Sequence, residues 1–408
     1  MAKAKYDVIV FGATSFVGKI LTSYMMAHYG VGGDASWAIA GRSADKLQDL
    51  KEGLGEKAKA LDVIVADAAD EGALNAMVTQ TKVVISTVGP YALYGEPLVK
   101  VCAETGTDYV DLTGEVQWIR RMVRRYEATA QASGARIVHC CGFDSIPSDL
   151  GVHFLEREAM AKFGAPATLV KMGVKALRGG MSGGTVASLM NVMKEVSKEP
   201  ELKKELADPY SICPREHGFS VRQRNISGAQ FDKDFGRWLA PFVMAGINTR
   251  VVHRTNALKN AAYGGQFRYD EAMFTKGRWG ATFMTLGLGM FMMLASLSPT
   301  RAFLEKFVVP KPGEGPSPEE QENGFYDLRF FGKTDAGDVL RTKVTGDRDP
   351  GYGSTAKMLA QAGLCLATDV PKEALAGGFW TPATAMGDKL IERLENHAGL
   401  EFKVVEDA

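Results

Sequence analysis

Short apolar runs alternate with amphipathic stretches along the first third of the chain, the pattern expected of parallel strands joined by helices. Val8-Ile-Val-Phe11 reads as a strand entering a turn at Gly12. Val17, Ile20, Leu21, Tyr24, Met25 and His28 then share roughly one helical face up to Gly30. The stretches 36–43, 61–67, 82–90, 108–112 and 135–141 read as further strands, with helices over 95–105 and from Val116 onward. That second helix turns Val116, Ile119, Met122, Val123 and Tyr126 inward and Arg120, Arg121, Arg124 and Arg125 outward. Beyond this point, 168–174, 228–231, 249–253 and 267–273 suit strands of a mixed sheet, and 325–332 with 339–346 a hairpin. Helices over 352–366 and 382–394, the second ending near Gly399, close the chain. The expected fold is α/β: a Rossmann-type doubly wound parallel sheet over 1–149 and an α+β domain over 150–345. C-terminal helices over 346–408 return to the first domain, and a polar linker occupies 310–323.

Length and composition agree with two joined globular domains: 408 residues, 46% hydrophobic, with 48 basic residues balancing 48 acidic ones. A net charge of zero gives no field that would steer the protein to nucleic acid. Five cysteines, of which only Cys140 and Cys141 adjoin, form neither a disulfide framework nor a zinc pattern. The apolar run after Lys3 and Lys5 is only a strand long, so no signal peptide is expected and the protein should start in the cytoplasm.

The chemistry gathers where strands end. Gly12-Ala13-Thr14-Ser15-Phe16-Val17-Gly18 has the glycine spacing and the strand–turn–helix setting of a pyrophosphate cradle. Ser15 stands where a middle glycine would be, and its hydroxyl could itself donate to phosphate. At the end of the second strand, where an acid would grip the ribose of NAD, stand Arg42 and Ser43, with Lys46 one turn on. That charge suits the 2′-phosphate of NADP(H), unless Arg42 only stacks on adenine or pairs with a surface acid. Asp67 either sits near the adenine or caps the next helix. Thr87, Val88, Gly89 and Pro90 are expected to run along the cofactor towards its nicotinamide. Tyr91 and Tyr94 are packing aromatics or substrate-facing hydroxyls. Asp144, Ser145 and Ser148 are helix caps, or Asp144 works on the substrate side. Arg178 and the glycines after it form either an anion-binding loop or a mobile connection, and the four-arginine face either docks an acidic carrier or is simply solvated. His217 and His253 lack neighbours at metal-ligand spacing, so no metal is expected.

From Trp279 to Thr300 no residue is charged. Three readings are open: an interfacial or lipid-facing hairpin, a buried core or dimer helix, and a membrane span, which would strand the closing helices on the far side. Its methionines Met284, Met290, Met292 and Met293 would make an adaptable wall for an acyl chain.

The segments 12–18, 40–42, 88–91, 109–115, 141–151, 182–185 and 380–387 together resemble the saccharopine dehydrogenase-like oxidoreductases. Within them the chain is most similar to the branch with mycobacterial trans-acting enoyl reductases and the animal members associated with lipid droplets. The resemblance implies a Rossmann domain with NADP(H) and an α+β domain that supports a homodimer. It carries over no catalytic residue. Joined to the apolar stretch, it leads to an NADP(H)-dependent reductase of an enoyl or other unsaturated group on a lipid or polyketide chain. Its partner would be a hydrophobic small molecule or carrier-bound acyl substrate, at a membrane or lipid surface. Two alternatives stand beside it: a saccharopine-type amino-acid dehydrogenase using Arg178, Arg222 and Arg224, and a non-catalytic nucleotide-binding protein of lipid surfaces.

Overall fold

The computed structural model describes residues 4–179, 183–199, 201–307 and 315–406. Its first half is built from β1 (Tyr6–Phe11), α1 (Phe16–Tyr29), β2 (Trp37–Gly41), α2 (Ala44–Gly53), β3 (Asp62–Val65) and α3 (Glu71–Val78). There follow β4 (Thr81–Ser86), α4 (Tyr91–Tyr94), α5 (Glu96–Thr105), β5 (Asp108–Asp111), α6 (Val116–Ser133), β6 (Arg136–Val138) and α7 (Ile146–Phe163). The second half begins with β7 (Leu169–Arg178), α8 (Gly183–Lys198), α9 (Leu202–Ala207), β8 (Gln230–Asp232), β9 (Arg237–Pro241), α10 (Ala245–Leu258) and β10 (Arg268–Thr275). Then come α11 (Arg278–Ser296), α12 (Ser298–Phe307), α13 (Pro318–Glu322), β11 (Phe325–Lys333), β12 (Val339–Gly346) and α14 (Gly353–Thr368). The chain closes with β13 (Gly378–Trp380), α15 (Pro382–Ala385), α16 (Gly387–Arg393) and β14 (Leu400–Val404).

Two seven-stranded sheets result. The first, in the order β13-β6-β5-β4-β1-β2-β3, is parallel throughout. Its central strands are apolar on both faces because helices cover both sides. The strand order reverses at β1 and β4, which opens a crevice at their carboxyl ends. The second sheet, β14-β12-β11-β7-β10-β9-β8, is mixed, parallel only between β7 and β10.

The closing segment serves both sheets. Helix α14 packs on α1 and β4, where a Cβ on Gly363 would come within 2.5 Å of Ile85 Cδ1. Arg136, buried on β6 against Asp108, donates to the carbonyls of Leu366 (2.9 Å) and Val370 (2.7 Å) and so holds the C-terminal end of α14. Strand β13 extends the first sheet, whereas β14 pairs with β12 in the second.

Several expectations need correction. Residues 249–253 are not a strand but the middle of α10. Val251 and Val252 favour a strand locally, but here the helix is buried all round, between α7 and β10. Helix α7 runs through the expected boundary at Asp149, the closing helix breaks into α15 and α16, and β13 and β14 were not foreseen. Residues 310–314 of the expected linker lie outside the described residues; Pro318–Glu322 form a helix with a Ser317–Glu320 capping box. Part of the glycine loop after Arg178, residues 180–182, also lies outside them.

Candidate active site

The turn after β1 is set by two glycines and a serine. Gly12 adopts φ +84°, and a Cβ there would come within 2.8 Å of Thr87 Oγ1 and 2.7 Å of Val88 Cγ2. Gly18 lies so close to the turn that its Cβ would stand 2.2 Å from the Gly12 carbonyl oxygen. Ser15 caps α1 by accepting from Gly18 N–H (2.9 Å), and its hydroxyl also lies 2.9 Å from Thr87 Oγ1. Thr87 Oγ1 donates to the Gly12 carbonyl (2.9 Å), so Ser15 donates in the Ser15–Thr87 bond. Its proton is spent inside the turn, and the expected donation to phosphate gives way to a role in fixing the loop. Among the described residues the N–H groups of Phe16 and Val17 have no protein partner, while those of Ser15, Gly18 and Lys19 bond within the turn. Two free donors at the positive end of a fourteen-residue helix fit a pyrophosphate.

Along the same crevice, Arg42 and Lys46 are exposed at the end of β2 and Ser43 caps α2. Neither cation forms a salt bridge among the described residues, which disposes of the surface-acid reading of Arg42. Asp67 is exposed and accepts from Ala69 N–H (2.9 Å), shaping the loop before α3 rather than capping that helix, which Asp70 does.

On the other side, residues 87–92 are held by a buried carboxylate that the sequence reading missed. Glu115 accepts from the N–H groups of Tyr91 (2.8 Å) and Ala92 (3.0 Å) and from the Ser188 hydroxyl of α8 (2.9 Å). Tyr91 is not a proton donor to substrate. Its ring packs on Trp118 and its hydroxyl donates to the Ser86 carbonyl (2.9 Å), because a buried phenol must find an acceptor. Tyr94 is 52% exposed on the rim. Cys140 and Cys141 are buried, and burial pushes both thiols well up, so neither is a nucleophile.

Asp144 follows β6 and caps nothing; Ser145, the residue before α7, makes no capping bond either. The Asp144 carboxyl is partly exposed and forms no hydrogen bond or ion pair among the described residues. It faces Gly114 at the end of β5, whose Cβ would lie 3.6 Å from Asp144 Oδ2 and 3.9 Å from Ile247 Cγ2 of α10. Desolvation, with the Glu271 carboxylate of β10 nearby, raises Asp144 to about 7. Glu271, also missed, accepts from Asn248 Nδ2 (2.9 Å) and the Tyr269 hydroxyl (2.8 Å), and Ser148 of α7 bonds to it as well. The only local hint of it was a pair of acids, Asp270 and Glu271, interrupting an otherwise strand-like run.

The arginines of α6 are engaged within the molecule. Arg120 and Arg124 meet Glu205 of α9 (2.8 and 3.9 Å), Arg121 meets Glu195 of α8, and Arg125 meets Glu96 of α5. They clamp α8 and α9 to the first domain, a role neither the docking nor the solvated reading foresaw. Among the described residues no cluster of three His, Cys, Asp or Glu could hold a metal.

The uncharged stretch forms α11, a nineteen-residue helix long and apolar enough to cross a membrane, and runs on into the start of α12. One side packs on β9, α8 and α12, with Phe291, Leu294 and Ala295 against Met190 and Met193 of α8. The other bears Trp279 (72% exposed), Phe283 (70%), Leu286, Met290 and Met293. Only Ala281 and Ala295 of the helix are buried, which removes the buried-core reading.

Comparison with known proteins agrees with this geometry. Residues 8–138 match the saccharopine dehydrogenase NADP binding domain, which implies a nicotinamide dinucleotide cofactor. Over 410 residues the chain is 38% identical to the trans-acting enoyl reductase of Mycobacterium tuberculosis, covering 96% of each chain. It is 37% identical over 411 residues to that of Mycobacterium ulcerans, again covering 96% of each. Apo saccharopine dehydrogenase (L-Glu forming) from Saccharomyces cerevisiae shares the fold, with a TM-score of 0.55 at 14% identity over 98% of this chain and 99% of the yeast one. With the matched NADP binding domain and 38% identity along nearly the whole of both chains, the chain belongs to the saccharopine dehydrogenase-like oxidoreductases, in the group of the trans-acting enoyl reductases.

Proposed function

We propose that the protein is an NADPH-dependent reductase of an enoyl or other unsaturated group on a lipid or polyketide chain. The observation that carries this is Asp144, an acid with raised proton affinity standing without a partner at the carboxyl end of β6. The cofactor supplies the hydride for the β-carbon of the substrate. Phe16 and Val17 N–H hold the pyrophosphate, and the 87–90 turn, fixed by Glu115, orients the nicotinamide end. Asp144 gives its carboxyl proton to the enolate that hydride addition leaves, and recovers one from water. Full-length likeness to trans-acting enoyl reductases supports the substrate class. The saccharopine-type alternative is weakened because Arg224, one of its three cations, is taken up by Asp232 (3.3 Å) and Asp270 (3.9 Å). The test is NADPH oxidation with a long-chain enoyl thioester, set against saccharopine-dependent reduction of NADP. Turnover of saccharopine alone would replace the proposal.

The choice of NADP(H) over NAD(H) rests on Arg42 and Lys46, with no acid at the end of β2. Arg42→Ala is expected to weaken NADPH binding by about 10-fold or more while leaving NADH binding within two- to three-fold, as loss of a charge-assisted phosphate contact requires. Equal losses for both cofactors in calorimetric titrations would assign Arg42 to adenine stacking.

We further propose that the exposed face of α11 lies in a lipid surface, from which long apolar substrates reach the crevice by way of α8. The protein would then be cytoplasmic and peripheral, associating as a homodimer through its second domain. A face with Trp279 at one end and no charge along its length supports lipid over a water-facing seam. Trp279→Glu with Phe283→Glu should abolish sedimentation with phosphatidylcholine vesicles yet leave reduction of a short soluble substrate unchanged. Retained sedimentation refutes the lipid assignment, and a change from dimer to monomer without lipid effect assigns the face to a second copy.

A further inference from the structure

We infer that Ser188 of α8 is a positioning residue for the nicotinamide turn and acts on it through Glu115, so that a helix from the second half of the chain completes the cofactor site of the first. This rests on the reductase reading above, which sets the nicotinamide against residues 87–90, and adds to it a residue outside the dinucleotide domain.

Glu115 precedes α6 but makes no capping bond to that helix. Its carboxylate reaches instead to α4, a four-residue helix whose first N–H groups have no acceptor of their own. Oε1 accepts from Tyr91 N–H (2.8 Å) and Oε2 from Ala92 N–H (3.0 Å). The Ser188 hydroxyl also donates to Oε1 (2.9 Å), so the serine and the first amide of α4 meet on one oxygen. Glu115 is 1% exposed and pairs with no cation among the described residues, so these three donors sustain its charge. A serine inside a helix ordinarily turns its hydroxyl back to a carbonyl three or four residues earlier. Ser188 reaches across seventy-three positions to a buried carboxylate instead.

Helix α8 is seated to keep that hydroxyl in place. Ser188, Asn191 and Glu195 share one face; Asn191 Nδ2 donates to Glu195 (2.8 Å), and Glu195 meets Arg121 of α6. Met190 and Met193, on the other face, pack against α11. At the start of the helix, Gly183 N–H donates to the Tyr352 hydroxyl (2.8 Å), and the Tyr352 ring packs edge-on against Phe16 of the pyrophosphate turn (centroids 4.5 Å apart). One helix is thus tied to both turns that frame the crevice. Amides held in this way keep their orientation when the cofactor arrives, which lowers the reorganisation that hydride transfer demands.

Ser188→Ala removes only the hydroxyl, and alanine favours a helix. The readouts are the affinity of the full-length protein for NADPH and the fluorescence of the bound nicotinamide. Ser188→Ala should weaken NADPH binding by about 3- to 10-fold, the usual worth of one hydrogen bond, and move the emission toward that of free NADPH. Asn191→Ala, which alters the same face of α8 without touching Glu115, should keep the parent emission. In a Glu115→Gln background, Ser188→Ala should change affinity by less than about two-fold, because the two residues act in series. Parent emission in Ser188→Ala, or an equal loss in Asn191→Ala, overturns the assignment without recourse to Glu115→Gln. Multiplied losses in the double variant overturn the route through Glu115. Wild-type protein with these NADPH responses but no enoyl turnover overturns the reductase reading and leaves the role of Ser188 standing.

Discussion

Gly18→Ala is expected to lower NADPH affinity by 100-fold or more, about 3 kcal/mol, and to reduce the melting temperature. The added Cβ would stand 2.2 Å from the Gly12 carbonyl oxygen and under 3 Å from the Ala13 backbone. Both neighbours are main chain, so no flexible side chain can swing aside. Nor can the turn retreat, because the N–H groups of Gly12 and Ala13 are bonded to the Ala40 carbonyl (2.9 and 3.2 Å) and Thr87 holds the Gly12 carbonyl from beyond. Helix α1 must therefore move off the sheet. That carries Phe16 and Val17 N–H away from the pyrophosphate, breaks the Ser15 cap and costs roughly 1–3 kcal/mol of packing. Gly287→Ala is the control, since a Cβ there meets nothing within 4 Å and alanine favours a helix. Titration calorimetry and thermal melts on both variants decide the matter. Binding within three-fold of the parent in Gly18→Ala would move the cofactor away from this turn.

The first sheet was legible because its central strands are buried on both faces and carry short apolar runs, Val8–Phe11, Trp37–Ala40 and Val83–Ile85, that stop at Gly12, Gly41 and Ser86. The dinucleotide turn was legible because Gly12 takes a positive φ of +84° and Gly18 packs on the Gly12 carbonyl and the Ala13 backbone, constraints that act within seven residues. Strand β13 was not. It has three residues, and it joins β6 because α14 delivers it there, a long-range fact with no local trace. The misreading of 249–253 has a related cause. A helix buried on every side loses the polar stripe that marks helical period, and its β-branched pair then speaks for a strand.

Of the candidate site, the residues whose role is local were readable and those defined by distant partners were not. Ser15 was placed correctly in the turn, but its proton goes to Thr87, seventy-two positions away. Tyr91 was open between a packing aromatic and a substrate-facing phenol, and the Ser86 carbonyl and Trp118 that enclose it decide for packing. Glu115 looked like an ordinary residue before a helix, and its meaning depends on Ser188 and on the Tyr91 and Ala92 amides. The arginines of α6 looked like a surface because their acidic partners lie on three other helices.

Asp144→Asn is expected to lower kcat by 10²- to 10⁴-fold, the usual worth of a general acid, with NADPH affinity unchanged. The side chain keeps its shape and loses only the acidic proton, and it lies beyond the pyrophosphate turn, so cofactor binding has no reason to respond. With the carboxyl raised from 3.8 to about 7, roughly half the wild-type molecules carry the proton near neutrality, and turnover should fall as pH rises through that value. The residual activity of the variant should lack this limb. Stability should move the other way. An acid whose folded pKa exceeds its unfolded one destabilises the fold progressively as pH rises from about 4 to about 7, because the unfolded chain ionises freely while the folded one does not. Asparagine escapes that penalty, so Asp144→Asn should melt higher than wild type at pH 8 and at an equal temperature below pH 4. Tyr94→Phe, on the exposed rim, should change neither quantity. A residue kept for packing would lose stability on replacement, and one kept as an acid gains it while losing rate. Unchanged kcat in Asp144→Asn would pass the proton-donor role to another group and remove the observation on which the proposed reaction stands.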